Sequence, residues 1–497
     1  MENAATHPLD VKLEVLSGSL PAIWPEVLLS AGMVLLIVLE IAIGKRWRQV
    51  VPATGLLLVL GYLALIPFHG FPSHAQPLFL GMAVNDGFGA SFRLLTGLAG
   101  LLTFLATLST PRIREESHGM SEFYLMLLPM LVGMGFMAMS TNLLMGFLSI
   151  ELVSVPSYVL AAYTIRSRKS SEAALKYVIY GGFSAGIMLY GVSWIYGITG
   201  TLDLAGLAEG MSQWPVGQLL FALGLVLAGF AFKLTLLPFH FWAPDVYEAV
   251  PHPVAAFFST APKIAGFALL IRLLEALPVE HPLHNGMVLL LAVLALAGMT
   301  FGNLAALRQE NVKRMLAYSG IAHSAYILAG ALCMTSAGYS ATLFYSAIYL
   351  VMNFGAFYAT GWLSAQIGSE RISDFRGLAA GIPVLAVALV IFLVSLTGLP
   401  GTAGFIAKFK VLMANWEQSD QPIFLVLMAG IVINTVISLF FYMRIPAVMV
   451  FQNPQIKNAP RLHGFPLVFI LLMALPILLL GFWGFDALAN FFSAQLP

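Results

Sequence analysis

Long apolar runs, interrupted by short polar and basic segments, dominate the sequence. A helix needs about 20 apolar residues to cross a bilayer. Runs of that kind recur at 23–43, 51–68, 88–109, 122–139, 142–164, 174–198, 216–249, 252–277, 286–305, 313–334, 338–366, 382–414, 422–450 and 464–492. They predict an all-α polytopic membrane protein with about fourteen transmembrane helices. Two runs carry a breaker in mid-course. In 216–249 it is Pro238, with Pro244 further on; in 382–414 it is Gly398-Leu399-Pro400-Gly401. Proline removes a backbone donor and clashes with the preceding turn, and in a membrane the freed carbonyls need protein or water partners. The two breaks lie five spans apart, as two inverted five-helix repeats would place them. An odd spacing turns the second copy upside down. The expected divisions are spans 1–3 (1–120), a first repeat (121–280), a second inverted repeat (281–451) and a last span (452–497).

Basic residues orient the spans. Most of the 24 Lys and Arg fall after odd-numbered spans: Lys45, Arg46 and Arg48; Arg112 and Arg114; Arg166, Arg168 and Lys169; Arg308, Lys313 and Arg314; Arg371 and Arg376; Arg444, Lys457 and Arg461. The loops 199–215 and 277–285 hold none. Both termini are therefore expected outside and the basic loops in the cytoplasm. The N-terminal stretch carries Glu2, Asp10 and Glu14 without a basic run, so the first span is expected to act as an uncleaved signal.

Composition narrows the chemistry. Of 497 residues 59% are hydrophobic and 9% charged, against about 25% charged in a soluble domain. The net charge of +1 points to no nucleic-acid partner. A single cysteine, Cys333, leaves no internal disulfide and no cysteine-held cluster. With no phosphate loop, HExxH or CxxC in the chain, any redox cofactor is expected on another polypeptide.

Against this background a few polar residues stand out. Lys233, Lys263 and Lys408 lie inside apolar spans, as does Glu151. A charge at the bilayer centre costs roughly 2.5–3.5 kcal/mol on insertion scales, and such residues mark ion or proton pathways by default. Glu151 stands about nine residues into its helix, roughly 14 Å deep. Lys233 precedes Pro238 by five residues. Burial and a neighbouring carboxylate act on a lysine in opposite senses, so a lysine between them can both take up and release a proton. Lys263 follows Pro262 and is suited to receive a proton from Lys233 through water. Lys408 and Lys410 follow the second break on different helix faces; Lys408 is the candidate, and Lys410 is expected to snorkel. His323 can relay a proton, since a neutral imidazole both donates and accepts. His240 and His252 flank the first break, and Asp245 and Glu248 are expected at the cytoplasmic mouth. Tyr318, Ser319, Ser324 and Tyr326 could hold water beside His323. Glu172 and Lys176 read as an i,i+4 pair; Arg93, Arg272 and Glu275 read as interfacial, and Asp374 and Arg376 as loop residues.

Several stretches together resemble a known family. These are Phe147-Leu-Ser-Ile-Glu151-Leu, Pro238-Phe-His-Phe-Trp-Ala-Pro-Asp-Val-Tyr247, Pro251-His-Pro-Val, Ala261-Pro-Lys263-Ile-Ala-Gly-Phe, Asn311-Val-Lys-Arg-Met-Leu-Ala-Tyr-Ser319 and Leu399-Pro-Gly-Thr-Ala-Gly-Phe-Ile-Ala-Lys408-Phe. They look like the antiporter-like subunit N of proton-pumping NADH:quinone oxidoreductase, respiratory complex I. The resemblance covers roughly 120–450. It implies a fourteen-helix fold with two inverted repeats, a Glu151–Lys233 pair, and a path through Lys263 and His323 to an exit at Lys408. It also implies that NADH, flavin, iron–sulfur clusters and quinone are bound by partner subunits. The partners would be other membrane subunits of the complex, including a flanking antiporter-like subunit M and small membrane subunits, and the setting a bacterial inner membrane. Two rival readings follow from the same residues. One is a subunit of a multi-subunit cation/proton antiporter, which would show sodium-dependent proton flux. The other is a scaffold whose lysines are assembly ion pairs.

Overall fold

The computed structural model describes residues 16–43, 50–110, 120–163, 167–453 and 462–496. The acidic residues Glu2, Asp10 and Glu14, and the basic residues Lys45, Arg46, Arg48, Arg112, Arg114, Arg166, Lys457 and Arg461, lie outside the described residues. The described residues are mostly helical: α1 (Trp24–Ile43), α2 (Val50–His69), α3 (Gly87–Leu108), α4 (Met120–Met139), α5 (Leu143–Ala161), α6 (Arg168–Thr199), a short α7 (Leu204–Met211), α8 (Val216–Lys233), α9 (Trp242–Ala249), α10 (His252–Glu275), α11 (Leu283–Leu307), α12 (Val312–Ala331), α13 (Ser336–Ile367), α14 (Pro383–Thr397), α15 (Ala403–Trp416), α16 (Pro422–Phe451), α17 (Phe465–Phe482) and α18 (Phe485–Ser493). One small antiparallel hairpin, β1 (Gln76–Leu78) with β2 (Ala83–Asn85), precedes α3.

Among the described residues twelve helices are long and apolar enough to cross a membrane. The two remaining expected spans differ for separate reasons. The run 382–414 is divided: α14 has 15 residues and α15 has 14, about 22 Å each at 1.5 Å per residue and too short to cross alone. The run 313–334 is α12, which carries Lys313, Arg314, Ser319, His323 and Ser324 and is polar for a lipid-facing helix. Its polar groups are tolerated because nearly all of its residues are buried among other helices.

Burial sorts the helices. The apolar window of α10 is wholly buried and that of α13 nearly so, whereas α2, α16 and α17 bury under a third of theirs. Leu, Val, Ile and Phe on those outer helices face outward, as a lipid solvent permits. α10, α12 and α13 therefore form the centre, and the polar candidates lie on them or against them.

Local chemistry sets the helix ends. Asn142 caps α5, its side-chain oxygen accepting from the amides of Leu144 and Met145, while its Nδ2 donates to Asp203 at 2.6 Å. α8 stops at Lys233, five residues before Pro238, and α9 resumes at Trp242. α14 stops at Thr397, where Gly398 takes φ +83°. A side chain at that position would meet both backbone strain and the stem of Lys408, whose Cδ lies 2.7 Å from the place a Cβ would occupy.

Candidate functional site

The polar candidates gather into two groups. In the first, Lys233 is the last residue of α8 and is 3% exposed. A cation at a helix C-terminus is favoured by the uncapped carbonyls there, by about 0.3–1 kcal/mol. Its ammonium donates to Ser154 Oγ at 3.0 Å, and Ser154 Oγ donates to the Ile150 carbonyl at 2.7 Å. Ser154 stands one turn beyond Glu151 on α5. Glu151 is half-buried. No ion pair joins the two within 4.0 Å among the described residues, so the lysine touches the glutamate's helix through a hydroxyl rather than through the carboxylate. The stem of Lys233 passes Gly266 of α10, its Cγ 3.7 Å from the place a Cβ would occupy. Gly266 is one turn beyond Lys263, so the stem of Lys233 packs on the helix that carries Lys263.

The second group surrounds α12. Lys263, 2% exposed, donates to the Gly320 carbonyl at 2.9 Å. The same carbonyl accepts from Ser324 Oγ at 3.0 Å. Pro262 cannot donate to the Phe258 carbonyl four residues back; that carbonyl instead accepts from the Tyr247 hydroxyl of α9 at 3.0 Å. The carbonyl freed by the proline is thus occupied, and Lys263 reaches across to another helix. One turn beyond Gly320, His323 has Nδ1 2.9 Å from the Tyr345 hydroxyl and Nε2 3.1 Å from that of Tyr442. Tyr442 shares a short hydrogen bond with Ser319. The ring of Tyr349 stacks on the imidazole at 4.9 Å.

Lys408, 5% exposed, donates to the Thr397 carbonyl at 2.8 Å and to Thr435 Oγ1 at 3.3 Å. Thr397 is the last residue of α14, so this ammonium also rests on the C-terminal end of a half-helix. Its Nζ lies 4.4 Å from the ring centre of Tyr326, within cation–π reach. The Tyr326 hydroxyl accepts from Asn303 at 2.8 Å. Lys410 points elsewhere, over Phe344 at 5.5 Å.

The other candidates stand apart. His240 is buried with the edge of Phe301 against it at 4.7 Å. Tyr318 packs near Phe301 away from His323. His252 begins α10 and faces Gly361 of α13. Asp245 is held by Lys176 at 2.7 Å and by Arg314 at 2.7 Å, and Arg314 also reaches Glu248 at 3.0 Å. These pairs fasten α9 to α6 and α12, so Lys176 has a partner beyond the Glu172 expected for it.

Two residues read as peripheral are deeply buried. Arg93 of α3 makes a double contact with Glu26 of α1, at 2.9 and 2.6 Å, beside the Tyr62 hydroxyl. Arg272 of α10 donates to Asp86 and to the Ala138 carbonyl, both at 2.8 Å. Lys313, read as a loop residue, is 1% exposed; it pairs with Glu370 at 2.8 Å and donates to the Val250 carbonyl at 3.1 Å.

Residues 140–438, which include Glu151, Lys233, Lys263, His323 and Lys408, match the transmembrane family described as NADH:quinone oxidoreductase/Mrp antiporter. The chain belongs to this family. Among its members, NADH-quinone oxidoreductase subunit N of Chlorobium chlorochromatii is 41% identical over 450 residues, 89% of this chain and 87% of the relative. A chain of respiratory complex I from Thermus thermophilus superposes with a TM-score of 0.75 at 30% identity, covering 92% of this chain and 96% of that one. A chain of the Mrp complex from Dietzia shares the fold at 20% identity, with a TM-score of 0.81 and coverage of 96% and 97%.

Within this family member, the residues missed from sequence are Ser154, Tyr345, Tyr349, Tyr442, Thr397 and Thr435. Only Ser154 carried a local signal, one helical turn from Glu151.

Proposed function

We propose that this chain is a proton-translocating membrane subunit of a respiratory NADH–quinone oxidoreductase. One observation carries the reading. The buried cations fall into two sets. Arg93, Arg272 and Lys313 each face a carboxylate. Lys233, Lys263 and Lys408 each donate to neutral oxygens. Removing the proton from a cation paired with a carboxylate strands a buried anion, at a cost of several kcal/mol. Removing it from an ammonium held by a hydroxyl or carbonyl strands no charge. The second set is therefore built to change protonation state, and the first to stay fixed. The same contrast speaks against the scaffold reading, in which Lys233, Lys263 and Lys408 would be ion-paired.

In this reading a signal from quinone reduction on partner subunits shifts Glu151 relative to Lys233. Lys233 passes a proton through water to Lys263, which stands one turn before Gly266 on the helix that the Lys233 stem touches. His323, held between two tyrosine hydroxyls, relays it towards Lys408, and Lys408 releases it outside. Tyr326 lies under that last ammonium. His240 and Asp245 hold the broken segment, and His252 marks the cytoplasmic start of α10. The architecture we assign is fourteen crossings, counting α12 and the divided α14–α15, with inverted repeats at 121–280 and 281–451 flanked by 1–120 and 452–497. Both termini lie outside. NADH, flavin, iron–sulfur clusters and quinone belong to partner subunits, with an antiporter-like subunit M and small membrane subunits as neighbours. Kinship of fold with the Dietzia chain speaks for architecture and not for the ion carried. The test is proton yield per electron pair in the assembled complex: Lys233→Ala and Glu151→Ala should each lower it, and a normal yield in both would sink the route.

A further inference from the structure

A cavity of about 540 Å³ opens on the face that carries Lys313, Arg314 and Arg371, between the end of α3, the start of α10 and the end of α13. Its walls include His252, Gly361, Ser364 and Glu370. Two helix faces lead inward from it. On α10, His252, Ser259 and Lys263 are seven and four residues apart, which places them on one face. On α13, Ser364, Asn353 and Tyr349 are eleven and four apart, again one face. The two faces meet: a Cβ on Gly361 would fall 2.5 Å from the His252 ring, and Asn353 Nδ2 donates to Ser259 Oγ in a short hydrogen bond. The seam ends at the centre, where the Tyr349 hydroxyl and Lys263 Nζ both approach Gly320, 3.1 and 3.4 Å from the place a Cβ would occupy.

Three buried polar atoms line the α13 side without a protein partner of good geometry: Ser364 Oγ, Asn353 Oδ1 and the Tyr349 hydroxyl. Buried polar groups of this kind are satisfied by water. We propose that the seam between α10 and α13 is a hydrated channel that loads Lys263 with protons from this cavity. The proposal rests on the proton-carrying role assigned to Lys263. Each water along the seam would accept a proton from the cavity side and donate one inward; the net change is one proton taken from the cavity and one N–H bond formed at the neutral Lys263 amine. Glu370 is not a carrier, because Lys313 and Asn311 Nδ2 already hold both its oxygens, at 2.8 and 3.0 Å. This route bypasses Asp245, which is likewise occupied by two cations.

Radiolytic hydroxyl labelling of the intact complex in membranes, read by mass spectrometry, tests the channel. Tyr349 and Phe344 are both buried on α13, and at about 100° per residue Phe344 stands on the face opposite Tyr349, Asn353 and Ser364. Water beside Tyr349 should give it oxidation well above that of Phe344. Asn353→Leu should bring Tyr349 down to the level of Phe344 and lower the proton yield, while Asn353→Ser, which keeps a polar group, should retain both. Tyr349 oxidation no higher than that of Phe344, or Asn353→Leu with unchanged oxidation or unchanged yield, would overturn the proposal. Normal pumping in both Lys233→Ala and Glu151→Ala would overturn the translocation reading instead and leave the labelling result standing, so the two failures are distinct.

Discussion

The hydrogen bond from Tyr247 to the Phe258 carbonyl can be isolated because its cause is a single residue. Pro262 lacks the amide that would otherwise serve that carbonyl, and the phenol of α9 supplies the donor at 3.0 Å. Tyr247→Phe leaves a buried carbonyl without a donor, a loss of about 1–3 kcal/mol. In a Pro262→Ala background the new alanine amide faces the same carbonyl, and the phenol becomes redundant. A double-mutant cycle should therefore return a coupling of about 1–3 kcal/mol. The readout is the thermal midpoint of the assembled membrane complex, followed by native electrophoresis after heating. Tyr247→Phe should lower the midpoint when Pro262 is present and leave it nearly unchanged when residue 262 is alanine. The same bond joins α9 to the turn that precedes Lys263, so proton yield should follow the midpoint. An equal drop in both backgrounds would show that Tyr247 stabilises α9 for another reason, and the account of Pro262 would fail.

Three other outcomes follow from the ion pairs. Glu26→Ala strands the Arg93 guanidinium in a dry site and should cost about 3–5 kcal/mol; Glu26→Ala with Arg93→Leu should recover most of the lost midpoint, which a merely steric role for Glu26 would not allow. Burial raises the Glu370 carboxyl, but the Lys313 ammonium outweighs it and holds the group below the usual carboxylate value. A depressed folded-state value gives stability that is present above the unfolded value and lost as pH falls through the folded one. Acidification below the ordinary carboxylate range should therefore lower the midpoint, and Glu370→Gln should flatten that acid limb of the midpoint–pH curve. Asp245→Asn removes two partly exposed pairs worth about 0.2–1 kcal/mol each; its small destabilisation should shrink at high salt, and a loss insensitive to salt would point to packing.

Much of this was legible in the sequence because membranes make charge conspicuous. Lys233, Lys263, Lys408 and Glu151 stand out against apolar neighbours, and the breaks at Pro238 and Gly398-Leu399-Pro400-Gly401 fall between real helix ends. The shortfalls share one cause, that a contact between distant segments leaves no local trace. Arg93 looked interfacial because its partner Glu26 is 67 residues away. Lys313 looked like a loop residue because Arg314 stands beside it, yet Glu370 closes over it from the loop after α13. Tyr442 reaches His323 across 119 residues, and a tyrosine in an apolar run reads as packing. α12 looked like an ordinary crossing, although its polarity is affordable only because other helices surround it.

The same limit hides how the glutamate–lysine pair is arranged. Sequence gives two opposite charges at similar depth, and opposite charges invite an ion pair. The fold instead sets Ser154 against the ammonium and leaves Glu151 one turn away on the same helix, out of direct contact. For a fixed scaffold that would be a poor design, since direct contact would gain more. For a group that must release its proton it is the better one: a carboxylate in contact would hold the proton, whereas one held a short way off changes its influence steeply with distance, as any Coulomb term does in a medium of low dielectric. In the proposed proton-carrying role, a small movement of α5 against α8 would alter the charge on Lys233 without breaking a buried bond between charged groups.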